Sequence, residues 1–368
     1  MGSARVKGLL NISQGSVIYI VSPFIQTGGP HSLHQLAFFL RKHGCNVAMV
    51  YYPKPFGKSY KKSLYPAYAL PVAEKIDDKS NNIMVVPETS TEMLSKFANI
   101  QKCIWWLSLD FHFFEQIFEG AKASLRTHRI HSSLLPLMIG YKIVSKLYKR
   151  EALVWNSSKN YVQANNLYNC EYVRGHLQKE GIDNEKMHYL CGPLEDKYLC
   201  VCKEEIFVGK EEIIIYSPKK MDMSFFRKVK DAIIERDKSI RFVPLQNMNR
   251  EQIFHIEQKA KLYLDFGFFP GPERIPRESV SLYCNIITSN IGAAGNDIDV
   301  CIPKEYKFNL TDENVDKIAD LSVDMIHNYG RYVDDFEPYR EKVKEQINRF
   351  DDDIREIFGL NKNKGMIS

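Results

Sequence analysis

The sequence predicts an α/β protein made of two Rossmann-like domains followed by C-terminal helices. Three observations predict it. Short apolar runs alternate with helical patterns along most of the chain; these alternations fall into two separate series; and 368 residues, 44% of them hydrophobic, supply cores for about two domains. The first series begins at residues 16–21 (SVIYIV), a buried strand. Residues 32–43 follow as a helix, with Leu33, Leu36, Ala37 and Leu40 on one face, and residues 46–51 (NVAMVY) as the next strand. Strand, helix and strand in so short a span make a βαβ unit, which demands a parallel sheet. Further strands fit 82–86, 103–107, 153–155 and 187–190.

The second series runs through a strand at 212–216, a helix at 223–236 and a strand at 240–244. It continues with a helix at 250–260, a strand at 262–266, a short helix at 276–283 and a strand at 285–288. The tail, 312–358, is charged and helical, with the periodicity of two helices. The expected domains are therefore 16–192, 193–340 and a last helix, 341–360, folded back on the first domain.

Composition excludes several classes. The chain is neither low-complexity nor disulfide-framed, and no stretch approaches the ~20 apolar residues of a membrane span. The first sixteen residues lack the apolar region of a secretory leader, so a cytoplasmic location is expected. The net charge of +5 says little, but its distribution says more. Between residues 120 and 150 stand Lys122, Arg126, Arg129, Lys142, Lys146, Lys149 and Arg150, with no acid among them. Residues 131–150 combine those cations with a Leu/Met/Ile face. That suits either a helix lying on an anionic membrane or a buried helix with a basic outer face. Nucleic acid is not expected, because few aromatics interleave the cations. The eight cysteines contain no C-x-x-C, so neither zinc nor a disulfide framework is expected. The run 351–353 (DDD) points its carboxylates in different directions on a helix and reads as solvated surface, not as a metal site.

Ligands of parallel sheets bind beyond the carboxyl ends of the strands, so the loops there carry the chemistry. Gly28 and Gly29, in IQTGGP, open the backbone at a helix start, where unpaired N–H groups suit an anion or a sugar hydroxyl; a plain tight turn is the alternative. Lys219 and Lys220 follow a strand and suit a diphosphate. In DFGFFPGPERIPRES (265–279), Glu273, Arg274, Arg277 and Glu278 crowd one helix entry with Pro276 expected at its first position. There a carboxylate could take ribose hydroxyls and an arginine a phosphate. The glycines of SNIGAAG (289–295) fit a nucleotide or a connecting loop. In WWLSLDFHFF (105–114), Asp110 and His112 are candidate general bases; His31 and His34, beside the glycines, compete.

With these residues the chain resembles GT-B glycosyltransferases, which place two Rossmann-like domains across a cleft. The matching features are Gly28-Gly29-Pro30 before a helix ending Leu40-Arg41-Lys42-His43-Gly44, Lys219/Lys220 after a strand, and the Glu273–Ser279 loop and helix. The stretches VVPET (85–89), WWLSLD (105–110) and RIPRES (274–279) resemble bacterial transferases that build surface polysaccharides. The resemblance implies sugar transfer from a nucleoside-diphosphate sugar to a hydroxyl of a glycan or lipid-linked glycan, with no cofactor and no metal. It implies that the first domain binds the acceptor near Gly28, Gly29 and Asp110, with donor contacts at Lys219, Lys220, Glu273, Arg274, Arg277 and Glu278, and a catalytic base among Asp110, His31 and His112. A related retaining family carries a second glutamate eight positions before the one matched by Glu278; here that position is Pro270. A non-catalytic sugar- or nucleotide-binding protein on the same scaffold is therefore an alternative. An NAD-dependent oxidoreductase is another, but it lacks its G-x-G-x-x-G fingerprint here.

Overall fold

A computed structural model describes residues 9–52, 59–127, 131–148, 159–219 and 221–360. The chain divides into two compact units: one holds residues 1–169, 173–192 and 348–368, the other 170–172 and 193–347.

The first unit is built on a six-stranded parallel sheet of β1 (Ile18–Ser22), β2 (Val47–Tyr51), β3 (Ile83–Pro87), β4 (Gln101–Trp106), β5 (Asn165–Tyr168) and β6 (Met187–Tyr189), in the order β2-β1-β3-β4-β5-β6. Its inner strands are covered on both faces, which is why they read as continuous runs such as IYIVS and IMVVP. Helix α1 (Gly28–Lys42) follows β1; α2 (Leu109–Glu115) and α3 (Ile117–Thr127) follow β4; α4 (Leu135–Tyr148) comes next. Helix α1 begins at Gly28, one turn before the periodic residues that mark it in the sequence.

Strand β5 carries no apolar run, because Asn166 is fully buried in it. The amide accepts a hydrogen bond from Trp106 Nε1 (2.8 Å) and donates to the Tyr161 (3.0 Å) and Ala164 (2.8 Å) carbonyls, so burial costs it nothing unsatisfied. The strand expected at 153–155 lies outside the described residues.

The second unit carries a five-stranded parallel sheet: β7 (Glu211–Tyr216), β8 (Arg241–Pro244), β9 (Ala260–Asp265), β10 (Asn285–Ser289) and the two-residue β11 (Lys307–Phe308), in the order β11-β10-β9-β7-β8. Helix α5 (Glu171–Lys179), which from Val173 on belongs to the first unit, precedes β6. The short α6 (Asp196–Leu199) and α7 (Lys203–Val208) precede β7, α8 (Met223–Arg236) and α9 (Arg250–Lys259) join β7, β8 and β9, and α10 (Arg274–Ser281) leads into β10. Helix α9 starts with a full capping box: Asn249 accepts from Gln252 N while the Gln252 side chain accepts from Asn249 N.

Helix α10 starts two residues earlier than the sequence predicts, with Glu273 before it and Pro276 third inside it. The missing N–H of Pro276 still falls in the first turn, where no intrahelical partner exists to lose. The tail forms α11 (Val315–His327), the four-residue α12 (Tyr329–Tyr332) and the long α13 (Glu337–Ile357). Phe350, Ile354, Ile357 and Phe358 join the core of the first unit with Ile20, Leu36, Val85 and Trp105.

Candidate functional sites

In the first sheet the chain works outward from β1 in both directions, through β2 on one side and β3 on the other. The carboxyl ends of β1 and β3 therefore flank a point where two connections diverge and leave a crevice. Gly28 and Gly29 form the first turn of α1 just beyond β1; Thr27 caps that helix with no side-chain hydrogen bond. Neither glycine has a positive φ, and a Cβ at Gly29 would meet nothing closer than Leu107 Cδ1 at 3.6 Å. Protein packing does not demand glycine at 29, so the tight-turn explanation loses force there; the position leaves room over exposed helix N–H groups.

Opposite, at the end of β3, stands Glu88, buried, its Oε2 accepting from Leu107 N (2.9 Å) and its carbonyl approached by His112 Nδ1 (3.1 Å). Asn169, beyond β5, donates from Nδ2 to the Leu107 carbonyl (2.8 Å). Among the described residues, no hydrogen-bond partner reaches its buried Oδ1, Ser108 Oγ or His112 Nε2. Glu88 escaped the sequence reading as a site residue. Its signal was its place directly after an apolar strand.

The candidate bases do not form one group. His112 faces inward, edge-on to Trp106 and Tyr161, and burial pushes its pKa down. Asp110, two positions away on the same short helix, points to another side and is half-buried. His31 is buried on α1 with Nε2 2.9 Å from Tyr68 OH. His34, its competitor, is a core residue: Nδ1 lies 2.6 Å from the Pro30 carbonyl and Nε2 3.0 Å from Tyr51 OH. Burial lowers its pKa to about 4.

The second sheet repeats the pattern, with β7 and β9 flanking the divergence. The loops beyond β7, β9 and β10 are stitched together there. Met221 bridges Gly267, Phe269 bridges Gly292, Ser289 Oγ donates to the Gly267 carbonyl, and Ala293 N donates to the Phe269 carbonyl (2.8 Å). Gly292 is obligatory: its φ is +68° and a Cβ would fall 2.2 Å from the Phe269 carbonyl oxygen. Lys219 is exposed at this edge; Lys220 lies outside the described residues.

Arg274 and Glu278, one turn apart on α10, are joined by an ion pair between Arg274 Nε and Glu278 Oε1. Arg250 Nη2 reaches the same oxygen at 2.7 Å, and Arg274 Nη2 reaches Glu195 at 2.9 Å. Glu278 is buried and Arg274 largely so, while Arg250 and Glu195 join them from the solvent side. Behind it Glu257 is fully buried, accepting from Ser279 Oγ (3.1 Å). Burial first, and then the neighbouring charge of Glu278, hold its carboxyl well above the usual range. Arg277 turns elsewhere, to the Glu273 carbonyl (3.3 Å) and Gln346 (3.0 Å), and Glu273 is half-buried at the helix start.

Among the described residues, one trio brings three metal-type ligand atoms within 4.8 Å of one another: Glu212, Asp237 and His327. It lies by the amino end of β7, the opposite edge from these loops, and His327 already pairs with Asp237 at 2.7 Å. Asp351 and Asp353 are not simply solvated. Asp351 joins His43 (2.6 Å) to Arg355 (2.8 Å), and burial lifts the Asp353 pKa to about 6.

In sequence, no family model and no curated protein matches this chain. In structure, it matches the sucrose-phosphate synthase of Thermosynechococcus elongatus over 90% of its length and 94% of that chain, at 10% identity and a TM-score of 0.57. It also matches HepE of Anabaena, solved in complex with UDP, over 93% of its length and 98% of that chain, at 9% identity and 0.53. The fold is GT-B. Both matches run almost end to end, so the GT-B likeness takes in both sheets and the tail. HepE has also been solved with UDP-glucose.

Proposed function

We propose that this GT-B chain is a glycosyltransferase that moves a sugar from a nucleoside-diphosphate sugar to a hydroxyl of a glycan or glycolipid, in bacterial surface-polysaccharide synthesis. The observation that carries the reading is the repeated arrangement. Each sheet has a divergence point, and each point is bordered by a helix start or a strand-end loop suited to a polar ligand.

In the second unit, Lys219 binds the diphosphate, and its ammonium group and that of Lys220 offset the charge that develops as the diphosphate leaves. Glu278 offers its carboxylate to the ribose hydroxyls, with Arg274 beside it and Glu273 and Arg277 supporting the turn. In the first unit, Gly28 and Gly29 let the acceptor approach the N–H groups of α1. The bond from the anomeric carbon to the diphosphate oxygen breaks, the bond to the acceptor oxygen forms, and a base takes the acceptor proton. Asp110 suits that task better than His112, which faces the core, or His31, whose Nε2 is held by Tyr68. This chemistry needs no resident metal, since charge is balanced by ammonium groups and helix N–H groups. The location that fits is the cytoplasmic face of the inner membrane, where lipid-linked acceptors are elongated.

A thermal-shift panel of UDP, GDP, CMP and NAD tests the reading. A nucleoside diphosphate should raise the melting temperature, and EDTA should leave that rise intact; a response to NAD alone would overturn it. The tie of Glu278 to two arginines favours one second reading, a binding protein that no longer turns over its donor. Nucleotide binding with no release of nucleoside diphosphate on any acceptor would select it.

A further inference from the structure

Helix α4 is apolar on two sides. The helix packs against α3, and Lys146 on it is buried. One side is open: Leu137 is 71% exposed, Tyr141 69%, Val144 66% and Tyr148 84%. These four side chains, spaced by four, three and four residues, fall within about 60° of arc on the helix, and Leu134, just before it, extends the row. Single exposed apolar residues need no explanation, but a continuous row of them does.

We propose that this stripe docks in the plane of an anionic lipid surface. Two observations favour lipid over a second copy of the chain. In sequence, 120–150 carries seven cations and no acid, three of them (Arg129, Lys149 and Arg150) outside the described residues, and a segment with that excess repels a second copy and attracts acidic headgroups. Two of the stripe residues are tyrosines, whose rings are apolar and whose hydroxyls want water, the combination that settles at a headgroup boundary. At about 1.5 Å per residue, the 14 residues of α4 reach about 21 Å, so the helix lies along the surface and does not cross it. The structure also changes which groups make contact. Lys146 faces inward and Lys142 is half-buried, so the apolar stripe does the inserting and the basic segment supplies long-range attraction.

The proposal rests on this exposed row, not on the glycosyl-transfer reading, and it would supply that reading with the place where a lipid-linked acceptor is met. The test uses the full chain with vesicles of phosphatidylcholine alone or mixed with phosphatidylglycerol. The parent should co-sediment with the mixed vesicles and lose that binding in high salt, and the fluorescence of Tyr141→Trp should shift to the blue on their addition. Leu137→Ser combined with Val144→Ser should weaken binding at least about tenfold with an unchanged melting temperature, because both positions are exposed. Equal binding by parent and double variant would overturn the proposal, as would no binding of the parent to mixed vesicles. A parent dimer that the same substitutions dissociate would overturn it in favour of a second copy. The double variant should keep the parent's response to UDP, so failure here is distinguishable from failure of the enzymatic reading.

Discussion

Glu278 is a buried charge held by two arginines. Its buried Oε1 receives Arg274, itself largely buried, and Arg250, which reaches in from an exposed position, so neutralising it deprives the Arg274 guanidinium of one of its two carboxylate partners. Glu278→Gln keeps the shape and removes the charge. It should lower unfolding free energy by about 3 kcal/mol, read from urea melts, and weaken nucleoside-diphosphate binding in the fraction that stays folded. Unchanged nucleotide affinity in a folded variant would refute the ribose contact proposed for it. His34 makes a different prediction. Its folded pKa of about 4 lies below the ordinary 6.5, so the unfolded chain takes up a proton over that interval and the folded chain does not. Its contribution is complete above pH 6.5 and is lost as the pH falls toward 4, by at most about 3 kcal/mol. The urea midpoint should drop over this window, and His34→Gln should flatten the drop; parallel pH curves for the two proteins would refute the assignment.

Among the elements, α13 carries most consequence for its length. Its residue Phe350 is fully buried, edge-on to Phe39 at 5.2 Å and stacked near Trp105 at 6.1 Å. Phe350→Ala should cost about 3–5 kcal/mol, seen as a lower thermal midpoint, because the aromatic cluster cannot close over the void. The strands were legible wherever both faces are covered by protein, since nothing but apolar side chains survives there. Strand β5 was not, because its central position is an asparagine satisfied by partners that the sequence does not reveal as neighbours. The start of α10 was misjudged for a related reason: proline is tolerated anywhere in a first turn, so Pro276 marks a helix entry without fixing its first residue.

For the molecule as a whole, sheet order was the step that the sequence could not supply. The loops after strands could be named from residues alone, and Gly28, Lys219 and the 265–279 stretch indeed stand at carboxyl edges. Which loops flank a divergence point depends on strand order, and that brought Glu88 forward beside the glycines. Clustered charges acquire partners that the sequence does not show: Arg274 and Glu278 pair with each other, and Arg250 and Glu195 join them. The division of the chain has a further consequence. The first unit takes residues from both sides of the second, and its core includes Phe350, Ile354 and Phe358. A ribosome makes those residues only after every strand of the second unit has been synthesised. The second unit can therefore mature while the nascent first sheet still waits, its apolar surface in need of a chaperone until the last helix arrives.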